Sequence, residues 1–228
     1  MKLKNIYLFI VMALALGACD DDIEIWDSAT LDYSGTYVCQ VLKADGSVYA
    51  DYSDSRKIDI YNTDANIANE LWITDHDKWL ELTSKFFLDG DASNFASKSL
   101  EYDDLPLNVS MVKASGDAPT GVGQILRDTI WGAKTALVEG KILPKAMTTI
   151  GGNVTDSIYM KIKFMYGDVT FISQEVPEAY RANPDVAEFE WVFESSIHNT
   201  VKANGDVRDE EFYMYSGHRY TGFSEDAH

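Results

Sequence analysis

Apolar and polar residues alternate with a period of two along much of this 228-residue chain. The alternation is clearest in residues 188–197, where large apolar side chains stand at every second position and glutamates lie between or beside them: Phe189, Trp191 and Phe193 against Glu188, Glu190 and Glu194. Successive side chains of a strand point to opposite faces, whereas a helix repeats its apolar face every three or four residues. The pattern therefore predicts a protein built from strands.

The same alternation recurs in further segments, which we predict to be strands: residues 35–42, 56–61, 70–74, 79–88, 108–113, 135–139, 158–166, 169–173 and 212–218. Gly167-Asp168 interrupts the pattern between residues 166 and 169 and predicts a hairpin turn there. Only residues 122–130 (VGQILRDTI) and residues 177–182 have a pattern that favours short helices.

Turn residues separate the predicted strands at regular intervals, at positions 44–47, 89–91, 151–153 and 203–206. Residues 32–228 contain no internal repeat and no linker, which predicts one domain. We therefore expect an all-β fold with a single antiparallel barrel or sandwich of about 8–10 strands and one or two short helices. A barrel is favoured if one face of the sheet lines a cavity.

The first residues have the pattern of a cleaved leader. Lys2 and Lys4 precede an apolar run over residues 6–16, which is too short to span a bilayer and has the length of a signal-peptide core. The run ends in Leu-Gly-Ala-Cys, which resembles a lipobox whose cysteine is acylated. We expect residues 1–18 to be removed, Cys19 to carry the lipid that anchors the chain, and residues 19–31 to form a tether.

Three aspartates, Asp20, Asp21 and Asp22, follow Cys19 directly. Such an acidic run keeps the tether hydrated, and it resembles the export signal of surface lipoproteins in some Gram-negative gut bacteria. It favours a place on the outer face of the outer membrane. A plain hydrophilic linker facing the periplasm is the alternative.

The chain is strongly acidic, with 37 Asp and Glu against 19 Lys and Arg and a formal net charge of −18. Such a negative charge repels nucleic acid, which excludes a protein that binds the phosphate backbone of DNA or RNA. If Cys19 carries lipid, Cys39 has no partner for a disulfide or a zinc-thiolate site, and we expect it to be a buried strand residue. No motif indicates a cofactor.

Candidates for catalysis are few. Asp75-His76-Asp77 would place a histidine between two carboxylates, but a solvated turn explains the same residues. Ser110 and Lys113 match the spacing of an SxxK pair, although in a strand-like segment. Residues 89–100 begin like a calcium loop but lack its glycine and its final glutamate, which favours a hairpin turn. We nominate no catalytic residue and no metal ligand.

Aromatic side chains are abundant on the predicted strands, and most of them must pack in the core. A barrel of this strand number holds either its own side chains or one small apolar ligand. The aromatic residues that we select as candidate ligand contacts are Tyr61, Trp72, Trp79, Tyr159, Phe171 and Trp191.

Four segments carry a resemblance to a known family: DYSGTYVCQV, IDIYNTDANIANELWITD, EGKILPKAMTTIGGNVTDSIYMKIKF and YSGHRYTGFSEDAH. Together they resemble the gut-bacterial surface lipoproteins known as lipid-binding putative hydrolases, over a span from about Asp32 to Asp226. The resemblance implies a lipocalin-like β-barrel with a lipid or another apolar ligand. It carries over no catalytic residue.

The same resemblance suggests how one end of the barrel closes. Lipocalins open their first strand with Gly-x-Trp and cover that tryptophan with an arginine from near the end of the chain. Here Gly35-Thr36-Tyr37 stands at the first place and Arg219 at the second. We expect Arg219 to stack on Tyr37.

Three functions follow from these patterns. The favoured one is a lipoprotein that binds a lipid or another apolar small molecule in a barrel cavity. The second is a glycan-binding or scaffolding lipoprotein of a surface nutrient-uptake system, which would display exposed coplanar rings such as Trp72 and Trp79 to a sugar or a surface protein. A hydrolase is the least favoured.

Overall fold

The computed structural model describes residues 28–53 and 57–226. Cys19, Asp20, Asp21 and Asp22 lie outside the described residues, as does Arg56, where a strand was predicted to begin. Within the described ranges the chain forms ten strands, which are β1 (Gly35–Lys43), β2 (Val48–Ala50), β3 (Lys57–Asn62), β4 (Glu70–Thr74), β5 (Thr83–Asp91), β6 (Asn94–Ser97), β7 (Ile125–Thr148), β8 (Val154–Glu175), β9 (Phe189–His198) and β10 (Glu211–Arg219).

Eight of these strands form a ring in which every pairing is antiparallel. The order is β10, β1, β3, β4, β5, β6, β7 and β8, and β8 pairs with β10 to close it. The short β2 pairs with β1 outside this path. The predicted all-β fold is confirmed. Short 3-10 turns lie at Tyr102–Asp104, Glu178–Tyr180 and Ser224–Asp226, and no helix in the described ranges is long and apolar enough to cross a bilayer.

Strands β7 and β8 are much longer than the other strands and continue beyond the ring. Lys134–Thr148 of β7 and Val154–Met165 of β8 pair within the ring, whereas Ile125–Ile130 pairs with residues 167–172 of β8 farther out. Strand β9 pairs with this outer part of β8. The outer parts of the three strands form an arm beside one end of the ring.

The arm corrects two predictions. Residues 122–130 are not a helix, because residues 125–130 pair with β8 and that pairing outweighs a weak local pattern. Gly167 is not in a turn, because β8 runs straight through it. A side chain at Gly167 would collide with the Tyr102 hydroxyl and with Ser196 Oγ, so the glycine is explained by this close approach.

Two predicted strand segments were also wrong. Residues 108–113 form a turn, in which the amides of Met111 and Val112 donate to the carbonyl of Asn108. Residues 79–82 belong to the β4–β5 loop, and β5 begins only at Thr83. The segments predicted as β1, β3, β4 and β10 are confirmed with small shifts at their ends.

Apolar side chains fill the ring. Those that are both large and fully buried come from ring strands and the β4–β5 loop: Tyr37, Ile58, Ile60, Leu71, Ile73, Leu82, Phe86, Leu88, Leu137, Met160, Phe164 and Tyr215. Cys39 is buried among them, as predicted, and its thiol is free in the described residues. An eight-stranded ring is just wide enough for such a filling. The packed interior leaves surface clefts as the places where a ligand can bind.

Strand β9 is the exception to the burial that its sequence predicted. Its register with β8 shifts between Thr170 and Phe171, and Phe193 is 38% exposed and Ile197 is 69% exposed. The reason is its place on the arm, where it pairs with β8 alone and only part of the arm is packed against other elements.

Candidate functional site

The two ends of the ring differ in construction. At one end β1 begins and β10 ends, with Tyr37 opposite Arg219 in the register. At the other end Lys43 lies opposite Tyr213, and Thr74 of β4 lies opposite Thr83 of β5. We call these the closed end and the mouth.

An arginine occupies the closed end. The guanidinium carbon of Arg219 lies 5.1 Å from the centre of the Tyr37 ring. Its Nε donates to Asp156 Oδ2 at 3.1 Å, and a terminal nitrogen donates to the Ser34 carbonyl. Burial raises the pKa of Tyr37 to about 12, and its hydroxyl donates to the Tyr33 carbonyl at 2.8 Å. The structure thus brings the two proposed closure residues together.

An aromatic cleft of about 410 Å³ opens at the mouth. Such a volume lies within the range of small-molecule sites. The cleft is lined by residues of β2, the β4–β5 loop, the 108–113 turn, β7, β8 and β10, namely Tyr49, Trp79, Leu80, Glu81, Met111, Trp131, Tyr166, Glu211 and Tyr213. We call this surface the mouth cleft.

The β4–β5 loop reaches the cleft through an unusual backbone. His76, Asp77 and Glu81 have positive φ angles of 53°, 57° and 50°, which are uncommon for residues other than glycine and indicate a constraint on the backbone. The constraint is the buried carboxylate of Asp75, which accepts from the amides of Asp77 at 3.0 Å, Leu80 at 2.8 Å and Leu82 at 2.9 Å. Strain of this kind persists only where the surroundings enforce it.

The pKa of the Asp75 carboxyl reflects its burial beneath the loop. Burial raises the pKa of its carboxyl above the ordinary value, although the hydrogen bonds from Leu80, Leu82 and Asp77 lower it. The protein therefore holds a carboxylate where its charge is disfavoured in order to fix the loop.

Asn108 fixes the other end of the loop. Its side-chain oxygen accepts from the Thr83 amide at 2.9 Å, and its side-chain nitrogen donates to the Glu81 carbonyl at 3.0 Å. Asn108 is fully buried, so both groups depend on these partners. Glu81 is thereby held at the rim of the cleft.

The opposite wall is organised by Glu211. Its Oε2 accepts from Trp131 Nε1 at 2.9 Å, and its Oε1 accepts from the Tyr166 hydroxyl at 3.3 Å. The Trp131 ring stacks on Phe164 with centroids 4.9 Å apart and an interplanar angle of 3°. Both contacts hold the indole of Trp131 at the wall of the cleft.

Tyr49 and Tyr213 complete the lining. Their rings meet edge to face at 5.3 Å, and the Tyr49 hydroxyl donates to the Trp79 carbonyl at 3.4 Å. Tyr213 also meets the edge of Trp131 at 6.1 Å. Together with Tyr166, four strands and the loop therefore supply aromatic rings to one surface.

Two buried donors near the cleft have no acceptor. Among the described residues, Trp79 Nε1 and the Tyr215 hydroxyl are buried side-chain groups without a hydrogen-bond partner. Their rings meet at 6.1 Å, and Trp79 lines the cleft. Native proteins rarely leave such groups unpaired, because an unpaired buried donor costs about 1–3 kcal/mol.

Of the six aromatic residues selected from the sequence, only Trp79 lines the mouth cleft. Tyr61, Trp72 and Tyr159 occupy outward-facing positions on the ring, since their neighbours in sequence point inward. Phe171 and Trp191 pack in the arm. The structure does not bring these six together, and their role as ligand contacts stays a prediction.

None of the other residues that line the cleft was selected from the sequence: Tyr49, Leu80, Glu81, Met111, Trp131, Tyr166, Glu211 and Tyr213. One signal was present. Trp131 and Gly132 interrupt the alternation of β7, where the structure has an irregular register between Ile130 and Lys134. Such interruptions often redirect a side chain near a functional site.

The candidates for catalysis have structural partners. Asp75 binds the three loop amides, and His76 Nε2 lies 2.8 Å from Asp59 Oδ2 rather than between its neighbouring aspartates. Lys113 contacts Asp77 at 3.7 Å on the surface. These contacts connect the loop to β3 and to the 108–113 turn.

The calcium-like segment is a turn, as predicted. Asp91 Oδ1 accepts from the amides of Ser93 and Asn94 and thereby caps the β5–β6 hairpin. In the described ranges, no group of three or more His, Cys, Asp or Glu side chains is arranged to hold a metal ion.

The comparison with protein families agrees with the resemblance seen in four segments of the chain. A family model described as lipid-binding putative hydrolase matches residues 22–224. No curated protein matches the chain. Because the family model spans nearly all of the sequence, the chain belongs to the family of lipid-binding putative hydrolases.

Proposed function

We propose that this protein is an acylated lipoprotein of the outer membrane, exposed at the cell surface, whose folded domain binds a lipid or a similar apolar small molecule in the mouth cleft. Cys19 would carry the anchor, and Asp20, Asp21 and Asp22 would direct export. The support for the anchor is the basic start, short apolar run and lipobox-like sequence at the N-terminus. Family membership supports a lipid as the ligand class.

The observation that carries the binding proposal is the concentration of aromatic surface in a cleft of about 410 Å³. The interior of the ring is packed with the protein's own side chains, so we place the ligand in a surface cleft, and the mouth cleft has the most aromatic lining. Burial of apolar ligand surface contributes roughly 25 cal/mol per Å² before the costs of association.

Two features of the mouth support a binding role. The β4–β5 loop is strained at three residues, and Trp79 and Tyr215 have unpaired donors. Both features lower stability, and both are typical of surfaces shaped for a ligand. Their place at or beside the cleft supports the proposal.

The glycan-platform alternative is less well supported. It requires exposed, coplanar rings, and Trp79 is only 9% exposed while Trp72 lies on the outer face of β4. These two residues therefore do not form an exposed pair.

The binding proposal is tested by native mass spectrometry and organic extraction of residues 20–228 purified without the anchor. We expect one apolar compound per chain in the wild type, and its loss in Trp131→Ala. Trp72→Ala is the matched control, because it also removes an indole, but from the outer surface of the strands. A ligand-free wild type that also takes up none of a panel of fatty acids, alcohols and monoacylglycerols would disprove the proposal.

The anchor is tested separately in cells that make the full chain. Mass spectrometry of the N-terminal peptide should show an acylated Cys19, and Cys19→Ser should release the protein from the membrane fraction. Protease added to intact cells should degrade the wild type, whereas replacement of Asp20, Asp21 and Asp22 by alanine should protect it. Full accessibility of that variant would show that the aspartates do not direct export.

A further inference from the structure

We infer that the mouth cleft selects an amphiphile with a positively charged ammonium head rather than a fatty acid or another anion. This inference rests on the proposed function and narrows its ligand class. It is based on two features of the cleft lining: the sign of its charged groups and the angles between its aromatic rings.

The first observation is the sign of the charged groups in the cleft. Glu81 and Glu211 line it, and the lining contains no lysine or arginine among the described residues. Both hydrogen bonds of Glu211 come from neutral donors, Trp131 and Tyr166, and among the described residues it forms no salt bridge. A carboxylate or phosphate head would meet two like charges in a protein of formal net charge −18.

The second observation is the set of aromatic rings. Tyr49, Trp131 and Tyr213 meet edge to face, at 5.3 Å between the tyrosines and 6.1 Å between Trp131 and Tyr213. Rings at steep angles to one another form the walls of a corner, as in the aromatic cages that bind quaternary ammonium groups. One face of Trp131 is covered by Phe164, so a ligand can stack only on the other face.

Two cations near the mouth, Arg208 and Lys43, lie outside the cleft lining. Arg208 lies over the Tyr166 ring, 4.0 Å from its centroid, and donates to Asn199 Oδ1 at 2.7 Å. Tyr166 is therefore no part of the corner that we assign to the ligand head. Lys43 lies opposite Tyr213 in the register but does not line the cleft.

The experiment uses the full chain and three soluble probes of equal chain length: octyltrimethylammonium, octanol and octanoate. Binding is measured from tryptophan fluorescence below the micelle concentration of each probe. We expect the ammonium probe to bind roughly tenfold more tightly than octanol, since desolvated cation–π contacts and the two carboxylates favour it. Octanoate should bind more weakly than octanol.

Variants assign the preference to the cleft. Glu211→Gln and Glu81→Gln should each reduce the preference for the ammonium probe over octanol several-fold. Glu139→Gln is the matched control, because it removes the same charge beside Lys141, on a ring strand away from the cleft lining. An equal loss of preference in Glu139→Gln would assign it to net charge and overturn the inference.

The remaining outcomes separate the inference from the proposed function. If octanol or octanoate binds as tightly as the ammonium probe, the charge preference is wrong while apolar binding at the mouth stands. If none of the three probes binds, the proposed function itself fails. If the ammonium probe binds most tightly and both cleft variants reduce that preference, both claims are supported.

Discussion

Replacement of Arg219 by methionine tests whether one side chain holds the closed end of the ring. Methionine keeps most of the apolar stem and removes the guanidinium, so the packing of the stem is largely preserved. The variant loses the contact with the Tyr37 ring, the hydrogen bond to the Ser34 carbonyl and the ion pair with Asp156.

The size of the effect follows from these contacts. A cation–π contact contributes roughly 0.5–2 kcal/mol, and a hydrogen bond from a charged donor roughly 1.5–3 kcal/mol. The ion pair adds less than about 1 kcal/mol, because the side chains of Arg219 and Asp156 are 29% and 27% exposed. Neighbouring contacts are not additive, and we expect a loss of about 3 kcal/mol.

Thermal and urea unfolding followed by circular dichroism measure this loss. For a chain of this size each kcal/mol lowers the midpoint by about 2–4 °C, so Arg219→Met should unfold about 6–12 °C below the wild type. Lys141→Met is the control, because it breaks an exposed ion pair with Glu139 at 2.7 Å and should leave the midpoint unchanged. A midpoint for Arg219→Met within about 2 °C of the wild type would refute the argument.

Three further predictions concern single residues. Gly35→Ala should cost about 1–3 kcal/mol in urea unfolding, because Gly35 has a φ of 153° and a side chain there would meet the Arg219 guanidinium; an unchanged midpoint would contradict this. Burial raises the pKa of Asp75 in the folded protein. The protein therefore loses stability as the pH rises above the ordinary pKa of this carboxyl, because Asp75 must then ionise in a buried site. The free energy of unfolding of the wild type relative to Asp75→Asn should therefore be larger at about pH 4 than at about pH 7, and the opposite trend would show that the hydrogen bonds outweigh burial. Burial also raises the pKa of the Cys39 thiol, so a thiol reagent should label Cys39 at the rate of unfolding, and rapid labelling of the native protein would contradict its burial.

The sequence predicts the ring strands well where one face is buried. Residues 70–74 match β4 at both ends, because Leu71 and Ile73 face the packed interior and Trp72 faces outward. The sequence predicts the extension of β7 and β8 only in part, because Gly167 is interpreted there as a turn residue. The structure explains this glycine by the close approach of Tyr102 and Ser196. Contacts between residues far apart in the chain cannot be read from a local pattern.

The mouth cleft could not be predicted for the same reason. Its lining comes from six parts of the chain, which meet only because β8 pairs with β10 to close the ring. The residues of the β4–β5 loop looked reactive in the sequence, yet Asp75 proves to be the anchor of a strained backbone. By contrast, Tyr37 and Arg219 were paired from the resemblance alone, and the structure places them in contact.

The most direct test of the account asks where an apolar ligand lies. Tryptophan fluorescence is titrated with octanol and with its chain-brominated analogue, whose bromine quenches nearby indoles. The account predicts strong quenching in the wild type and in Trp72→Phe, and loss of most of it when Trp79 and Trp131 are both replaced by phenylalanine. Quenching that survives in the double variant and disappears in Trp72→Phe would place the ligand on the outer face of the ring and contradict the assignment of the mouth cleft.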